Sequence, residues 1–366
     1  MAAGLTNDRP ILGLALGAAL LVTAAYPVAR SGSAVDDLLT RRMGFAAADL
    51  RPLDVGAAAI KSLETPVREE LAYVGVVYVD VSAERFVERF RDIERFEHGA
   101  GIPQIGRFSS PPRLGDLKSL TLPAADVTAL QACRPGDCDV KLSADAMDRF
   151  RNDVDWSSPD AVRQANDIAR SMILELVRGY QQEGNAALGR YDDGRESMAA
   201  AEPLRGLLGA EDPLPAPVPA LLRYLDAYPH ARPAGVEDFF YWSVVDFGLK
   251  QTVRVNHVTI YSMDAGSPPG VAYAITIKQL YASHYFHATL ELRFLVDDDR
   301  DPGRSGTSLI SITRSRSDGM TGLKGLFLRP IISRRSRDAV RQYLEHMKRQ
   351  VERPDPPALG TLVRLR

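Results

Sequence analysis

Histidines are the side chains in this sequence best suited to binding a metal or moving a proton, and two of the six, His284 and His287, stand three apart. The run around them alternates as a β-strand does. His284, Phe286, Ala288, Leu290, Leu292, Phe294 and Val296 share one face, and Tyr285, His287, Thr289, Glu291 and Arg293 share the other. Odd spacing therefore puts His284 and His287 on opposite faces. His287 and Glu291 share a face but lie roughly 13 Å apart along a strand, too far to chelate one ion. A metal would need a donor from a second strand, and His257 is the one plausible source. The expectation is hydrogen-bonded sheet histidines, with no metal and no cofactor. Gly-x-Ser-x-Gly, His-Glu-x-x-His and a Walker loop are all absent. Gly99-Ala100-Gly101 with Gly106 has the wrong spacing for a dinucleotide site and carries Pro103. Asp153 and Asp155 read as solvated positions near a helix start.

The two cysteines, Cys133 and Cys138, flank Arg-Pro-Gly-Asp. Pro-Gly favours a tight turn, which brings the two Cα atoms within disulfide range. An oxidising compartment would bridge them, and a reducing one would leave two plain thiols. A zinc site needs about four ligands, and the redox-active spacing is Cys-x-x-Cys, so neither chemistry fits this pair.

Several elements must position these residues. Tyr73 to Val81 is a compact β-branched and aromatic run, hence a strand. Ser82 caps a helix over Ala83 to Phe96, with Phe86, Phe90 and Ile93 on one face. Gly99 to Pro123 reads as loop with short strand pieces. Ser158-Pro159-Asp160 starts a helix that runs to Gly184, and further helix is expected at Glu196 to Leu208 and Pro219 to Tyr228. Strands follow at about Arg254 to Met263, Val271 to Ala282, His284 to Asp297 and Thr307 to Arg316. A final helix covers about Ser336 to Glu352, with Val340, Leu344, Met347 and Val351 as its apolar stripe and Pro354 as its stop.

Strand, helix, an interruption, several antiparallel strands and a long C-terminal helix: this order resembles the START-like helix-grip superfamily, which includes lipid-transfer domains and polyketide cyclase-like proteins. Tyr73 to Phe96 and Arg254 to Glu352 carry the resemblance, over about half of the chain and at the level of topology alone. It implies an α+β fold in which a curved antiparallel sheet grips the C-terminal helix, here with a helical insertion. It further implies an apolar pocket walled by Phe286, Leu290, Leu292 and Phe294 and roofed by Leu344 and Met347. The plainer alternative is that these side chains fill the core. His257, Lys278, His284 and Arg314 are candidates for proton chemistry if they face inward, as in cyclase-like relatives.

The organisation expected is a leader over residues 1–34, the first part of the α+β domain over 35–144, the insertion over 145–234, strands and C-terminal helix over 235–353, and a tail over 354–366. Ile11 to Ala29 is apolar throughout and Gly32-Ser33-Ala34 offers small residues, so the leader reads as a cleaved signal peptide or a retained membrane anchor. Either places the bulk of the chain outside the cytoplasm. Gly319 to Arg337 sets Leu323, Phe327 and other apolar residues among Lys324, Arg329, Arg334 and Arg335. That composition suits contact with an anionic membrane surface, or a lid packed on the body with its arginines solvated. A net charge of −2 argues against nucleic acid as a partner. The function expected is an extracytoplasmic carrier or binding protein for a lipid or other hydrophobic small molecule. A cyclase- or hydrolase-like enzyme using the same cavity, and an envelope structural protein with none, are the alternatives.

Overall fold

In the computed structural model the described residues are 34–99, 101–209, 218–246, 248, 250–263, 270–298, 306–317 and 322–354, with the side chains of 322–332 outside that set. Residues 1–33, which contain the stretch 11–29 read as signal peptide or anchor, and residues 355–366 also lie outside it.

The chain is α+β. Short helices α1 (Ala34–Asp37) and α2 (Arg51–Asp54) lead into strands β1 (Ala59–Leu63) and β2 (Glu70–Val79). Helices α3 (Ala83–Arg91) and α4 (Ile93–Glu97), strand β3 (Gln104–Arg107), and helices α5 (Ala124–Leu130), α6 (Ala144–Asp153) and α7 (Ala161–Glu183) follow. A two-residue ribbon, β4 (Arg190–Tyr191) with β5 (Met198–Ala199), precedes α8 (Ala201–Leu208) and α9 (Pro219–Ala227). The chain then runs through β6 (Val236–Val245), β7 (Thr252–Ser262), β8 (Val271–Ala282), β9 (Phe286–Asp297) and β10 (Thr307–Ser317) to α10 (Gly322–Glu352).

Eight strands form one open antiparallel sheet in the order β1-β2-β10-β9-β8-β7-β6-β3. Both faces are covered, and strand alternation sorts the side chains between them. Val77 and Val79 of β2, Val258 and Ile260 of β7, Ile275 and Ile277 of β8, and Leu295 of β9 pack with Phe86 and Phe90 of α3 and with Leu344, Met347 and Val351 of α10. Their sequence neighbours Val74, Val76, Val255, Leu290, Leu292, Phe294 and Ile310 face the other way. They pack with Val177 and Tyr180 of α7, Leu204 and Leu207 of α8, and Leu221 and Tyr224 of α9. The helical insertion thus roofs one face and α10 grips the other. Burying a large aliphatic or aromatic side chain is worth about 1.5–3 kcal/mol, so two such layers hold the sheet from both sides.

Local details follow from residue type. Ser82 accepts from the Arg85 backbone N–H at 3.3 Å as the cap of α3. The helix expected over Ala83 to Phe96 is two, because Asp92 ends α3 and caps α4, accepting from Arg95 N at 3.4 Å. α7 ends at Gly184, whose φ of +60° an L side chain rarely adopts; a Cβ there would also collide with the Tyr228 carbonyl. The final helix begins at Gly322, not near Ser336. Strand β1 pairs antiparallel with β2 at the edge of the sheet. Cys133 and Cys138 are disulfide-bonded, their Cα atoms 4.5 Å apart. Among the described residues no helix is long and apolar enough to cross a membrane.

Candidate functional site

The face gripped by α10 is divided along the strands. One end is the apolar layer above. The other carries Tyr241 of β6, Arg254 and Asn256 of β7, Gln279 of β8, Thr289, Glu291 and Arg293 of β9, and Thr313 of β10. Antiparallel register sets Tyr241 beside Asn256 and Asn256 beside Gln279, while Glu291 lies between Ile277 and Thr313 and Arg293 between Ile275 and Ser311, so the polar positions run diagonally across the strands. Adjacent strands thus build a polar floor beside the C-terminal helix.

Arg293 sits at its centre, fully buried. Its Nη2 donates to Glu291 Oε2 at 2.8 Å and to the Tyr343 hydroxyl of α10 at 2.7 Å. Tyr343 in turn donates to Glu97 Oε1, and Tyr241 donates to Glu97 Oε2 at 3.5 Å. The guanidinium lies 5.3 Å from the Phe90 ring centroid and 5.1 Å from that of Tyr343. Burial pushes the Glu97 carboxyl above its ordinary range, against the pull of Arg293 and the Tyr343 hydrogen bond. Burial also works against the Arg293 charge, but Tyr343 and the two carboxylates outweigh it and hold the guanidinium protonated.

The floor is not self-sufficient. Arg254 Nε, both amide atoms of Asn256, Gln279 Oε1, Thr289 Oγ1, and Arg293 Nε and Nη1 are buried and have no hydrogen-bond partner among the described residues. Each buried polar atom left unmet costs about 1–3 kcal/mol. Their gathering on one face gives water or a ligand several polar atoms to meet at once.

The sequence-predicted residues lie elsewhere. Leu290, Leu292 and Phe294 face the helical insertion, whereas Leu344 and Met347 pack on the opposite face, so the wall and the roof of the expected pocket are separated by the sheet. Phe286, the first residue of β9, joins neither apolar layer. The expectation fails because periodicity separates two faces without saying which one the last helix covers.

His257 is fully buried on the insertion face. Its Nε2 meets Asp238 Oδ1 at 2.9 Å and its Nδ1 meets the Tyr180 hydroxyl at 3.2 Å. Burial lowers the pKa of His257, against the opposing pull of Asp238. Asp238 also accepts from Tyr224 at 2.7 Å and Thr259 at 2.9 Å. Lys278 Nζ donates to the Tyr180 hydroxyl at 2.8 Å, Asn185 Oδ1 at 2.6 Å and the Leu225 carbonyl at 2.6 Å. Asp238 lines a cleft of about 450 Å³ with Arg107, Gln181 and Phe240. These groups bond to one another, and the network pins α7 and α9 to the sheet.

His284 precedes β9 in a turn where Tyr285 takes φ +63°, so it is not part of the alternating strand. Its Nε2 meets Asp126 Oδ1 of α5 at 2.8 Å, both buried. His257 and His284 are thus held by different aspartates. Arg314 donates to Glu70 Oε1 at 2.8 Å and to the Leu207 carbonyl at 3.0 Å. Leu323, Lys324, Phe327 and Arg329 fall in α10 but their side chains lie outside the described residues. Arg334 and Arg335 are exposed.

Sequence reasoning missed Glu97, Tyr241, Arg254, Asn256, Gln279 and Tyr343. Alternation along β9 did put Glu291 and Arg293 together on one face. A usable signal was the matching polar positions, Arg254 with Asn256 and Thr289 to Arg293, at one end of neighbouring strands.

No family model matches the chain, and no curated protein matches it. Among solved structures it is similar to TTHA0849 from Thermus thermophilus, at 11% identity over 33% of this chain and 69% of that one, with a TM-score of 0.24. A likeness at that level says nothing of function.

Proposed function

We propose that the chain is an extracytoplasmic binding or carrier protein of the START-like helix-grip kind for a small amphipathic molecule, a lipid or other hydrophobic compound with a polar end. The polar end sits on the floor of Arg254, Asn256, Gln279, Thr289 and Arg293. One observation carries the reading: seven buried side-chain atoms of these five residues have no hydrogen-bond partner among the described residues. A ligand offering both donors and acceptors would meet the two amide atoms of Asn256 and the guanidinium nitrogens together. The apolar residues between Leu323 and Ile332, interleaved with Lys324 and Arg329, are suited by composition to the rest of such a molecule. The disulfide and the apolar leader support a compartment outside the cytoplasm.

The test is native mass spectrometry of protein purified from its own host, with solvent extraction of whatever co-purifies. An amphipathic adduct that is lost on Asn256→Leu with Gln279→Leu supports the proposal. An empty protein that also takes up no fluorescent fatty-acid or lipid probe sinks it.

One observation favours a second reading, a cyclase-like enzyme on the same floor. Glu97, with its pKa raised, stands among Arg293, Tyr241 and Tyr343, where it could exchange a proton with a bound molecule. Turnover abolished by Glu97→Gln with ligand affinity unchanged would select the enzyme over the carrier.

A further inference from the structure

The outer flank of α10 holds a second polar feature, separate from the floor. Ser333, Arg334, Arg337, Asp338 and Arg341 share the helix side that overhangs the edge strand β1, and with Ser62 of β1 they line a cleft of about 560 Å³. Helical spacing puts residues 334, 337, 338 and 341 on one stripe. Val340 and Leu344 seat the helix against the sheet through Ile60 and Gly75, which fixes how far the arginines stand from β1. Tyr73 donates to Ser333, 3.1 Å from its carbonyl and 3.2 Å from its Oγ, so that hydroxyl's own proton points elsewhere.

The charge in this cleft is unbalanced. Three guanidinium groups face one carboxylate, and Arg341 pairs with Asp338 at 3.4 Å. Among the described residues Arg334 and Arg337 have no ion-pair partner. A cleft with two uncompensated positive charges and two serine hydroxyls matches the charge and the donor requirement of a phosphomonoester, a dianion with three acceptor oxygens.

We infer that this cleft binds a phosphomonoester, held by Arg334, Arg337 and Arg341 with Ser62 and Ser333 as hydroxyl donors. The same chemistry can come from a soluble phosphorylated molecule or from the phosphate headgroup of an anionic lipid. The site is independent of whatever occupies the floor, since it lies on the opposite flank of the helix.

Two probes test it on the full chain. Calorimetric titration with glycerol phosphate reads the soluble source. Flotation with phosphatidylcholine vesicles, with and without phosphatidic acid, reads the headgroup. Arg337→Gln and Arg341→Gln should each weaken binding of whichever probe is taken up by roughly tenfold or more. Arg195→Gln, at an exposed position far along the chain, removes the same charge and should leave binding within about twofold. Uptake of phosphatidic acid vesicles that glycerol phosphate displaces assigns the site to the membrane, and binding of glycerol phosphate alone assigns it to a soluble ester. The inference is overturned if neither probe binds, or if Arg195→Gln weakens binding as much as the cleft variants do. The Asn256→Leu, Gln279→Leu protein should keep full phosphate binding, which separates failure here from failure of the floor.

Discussion

Tyr343 of the last helix and Arg293 of β9 meet across the gripped face, the hydroxyl accepting from Nη2 at 2.7 Å while donating to Glu97. One phenol therefore joins α10, α4 and the sheet. Tyr343→Phe keeps the ring over the guanidinium and deletes only the oxygen. It should cost about 1–3 kcal/mol in urea denaturation, because Glu97 and Arg293 are left short of a partner while buried. A loss of a few tenths would mean that the three groups do not meet as described.

The polar floor predicts a trade between stability and binding. Replacing Asn256 and Gln279 with leucine removes three unmet polar atoms and adds apolar volume at the boundary of an existing core. The double variant should melt at or above the wild-type temperature, with each replaced group contributing up to about 1 kcal/mol, and should lose its ligand. A clear drop in melting temperature for both single variants would argue that these amides are needed by the fold.

Gly75 of β2 is where the gripping helix comes closest. A Cβ added there would overlap Leu344 Cδ1 and Ile60 Cδ1. Gly75→Val should destabilise by about 1–3 kcal/mol through overpacking, and Leu344→Ala in the same background should recover part of that loss. Equal additive losses in the two variants would show that the residues are not neighbours.

Lys278 carries a pH signature. Burial pushes its ammonium down to about 7, opposed by Asp226, while the unfolded lysine holds its proton to about 10.4. Between those values the unfolded chain binds more protons than the folded one, so stability should rise as pH increases from about 7 to 9.5. The slope is bounded by about 1.4 kcal/mol per pH unit, and the three acceptors around Nζ hold it below that limit. Lys278→Met should flatten the curve. Thermal unfolding followed across that range reads both, and an equal slope in wild type and variant would remove Lys278 as its source.

The Cys133–Cys138 bridge closes a loop of only about six residues, so chain entropy limits its worth to about 2 kcal/mol. Reduction and alkylation should tag both cysteines only after reductant. The Cys133→Ser, Cys138→Ser protein should stay folded with a modestly lower denaturation midpoint. Ready alkylation of native protein without reductant would show two thiols instead.

The α+β class and the long last helix were legible because they rest on local signals: the β-branched run of β2, the Ser82 cap, the alternation of β9 and the stripe of Val340 to Val351. The site was not, because it rests on which partner covers which face. Leu290 and Arg293 are three residues apart and both buried, one beneath the insertion and one beneath α10. A pattern of alternating apolar and polar residues suggests that the polar face meets water. Here the polar face is enclosed by α4 and α10, and the apolar face is enclosed by helices whose own residues carry no sign of where they dock.

Covering both sides of one sheet has a consequence for how such a chain can diverge over time. Leu290, Leu292 and Phe294 answer only to the insertion, and Thr289, Glu291 and Arg293 only to the floor beneath α10. Selection on what is bound and selection on how the insertion packs therefore act on alternate letters of the same strand. Relatives that change ligand should differ along β9 at every second position, and relatives that reshape the insertion should differ at the positions in between.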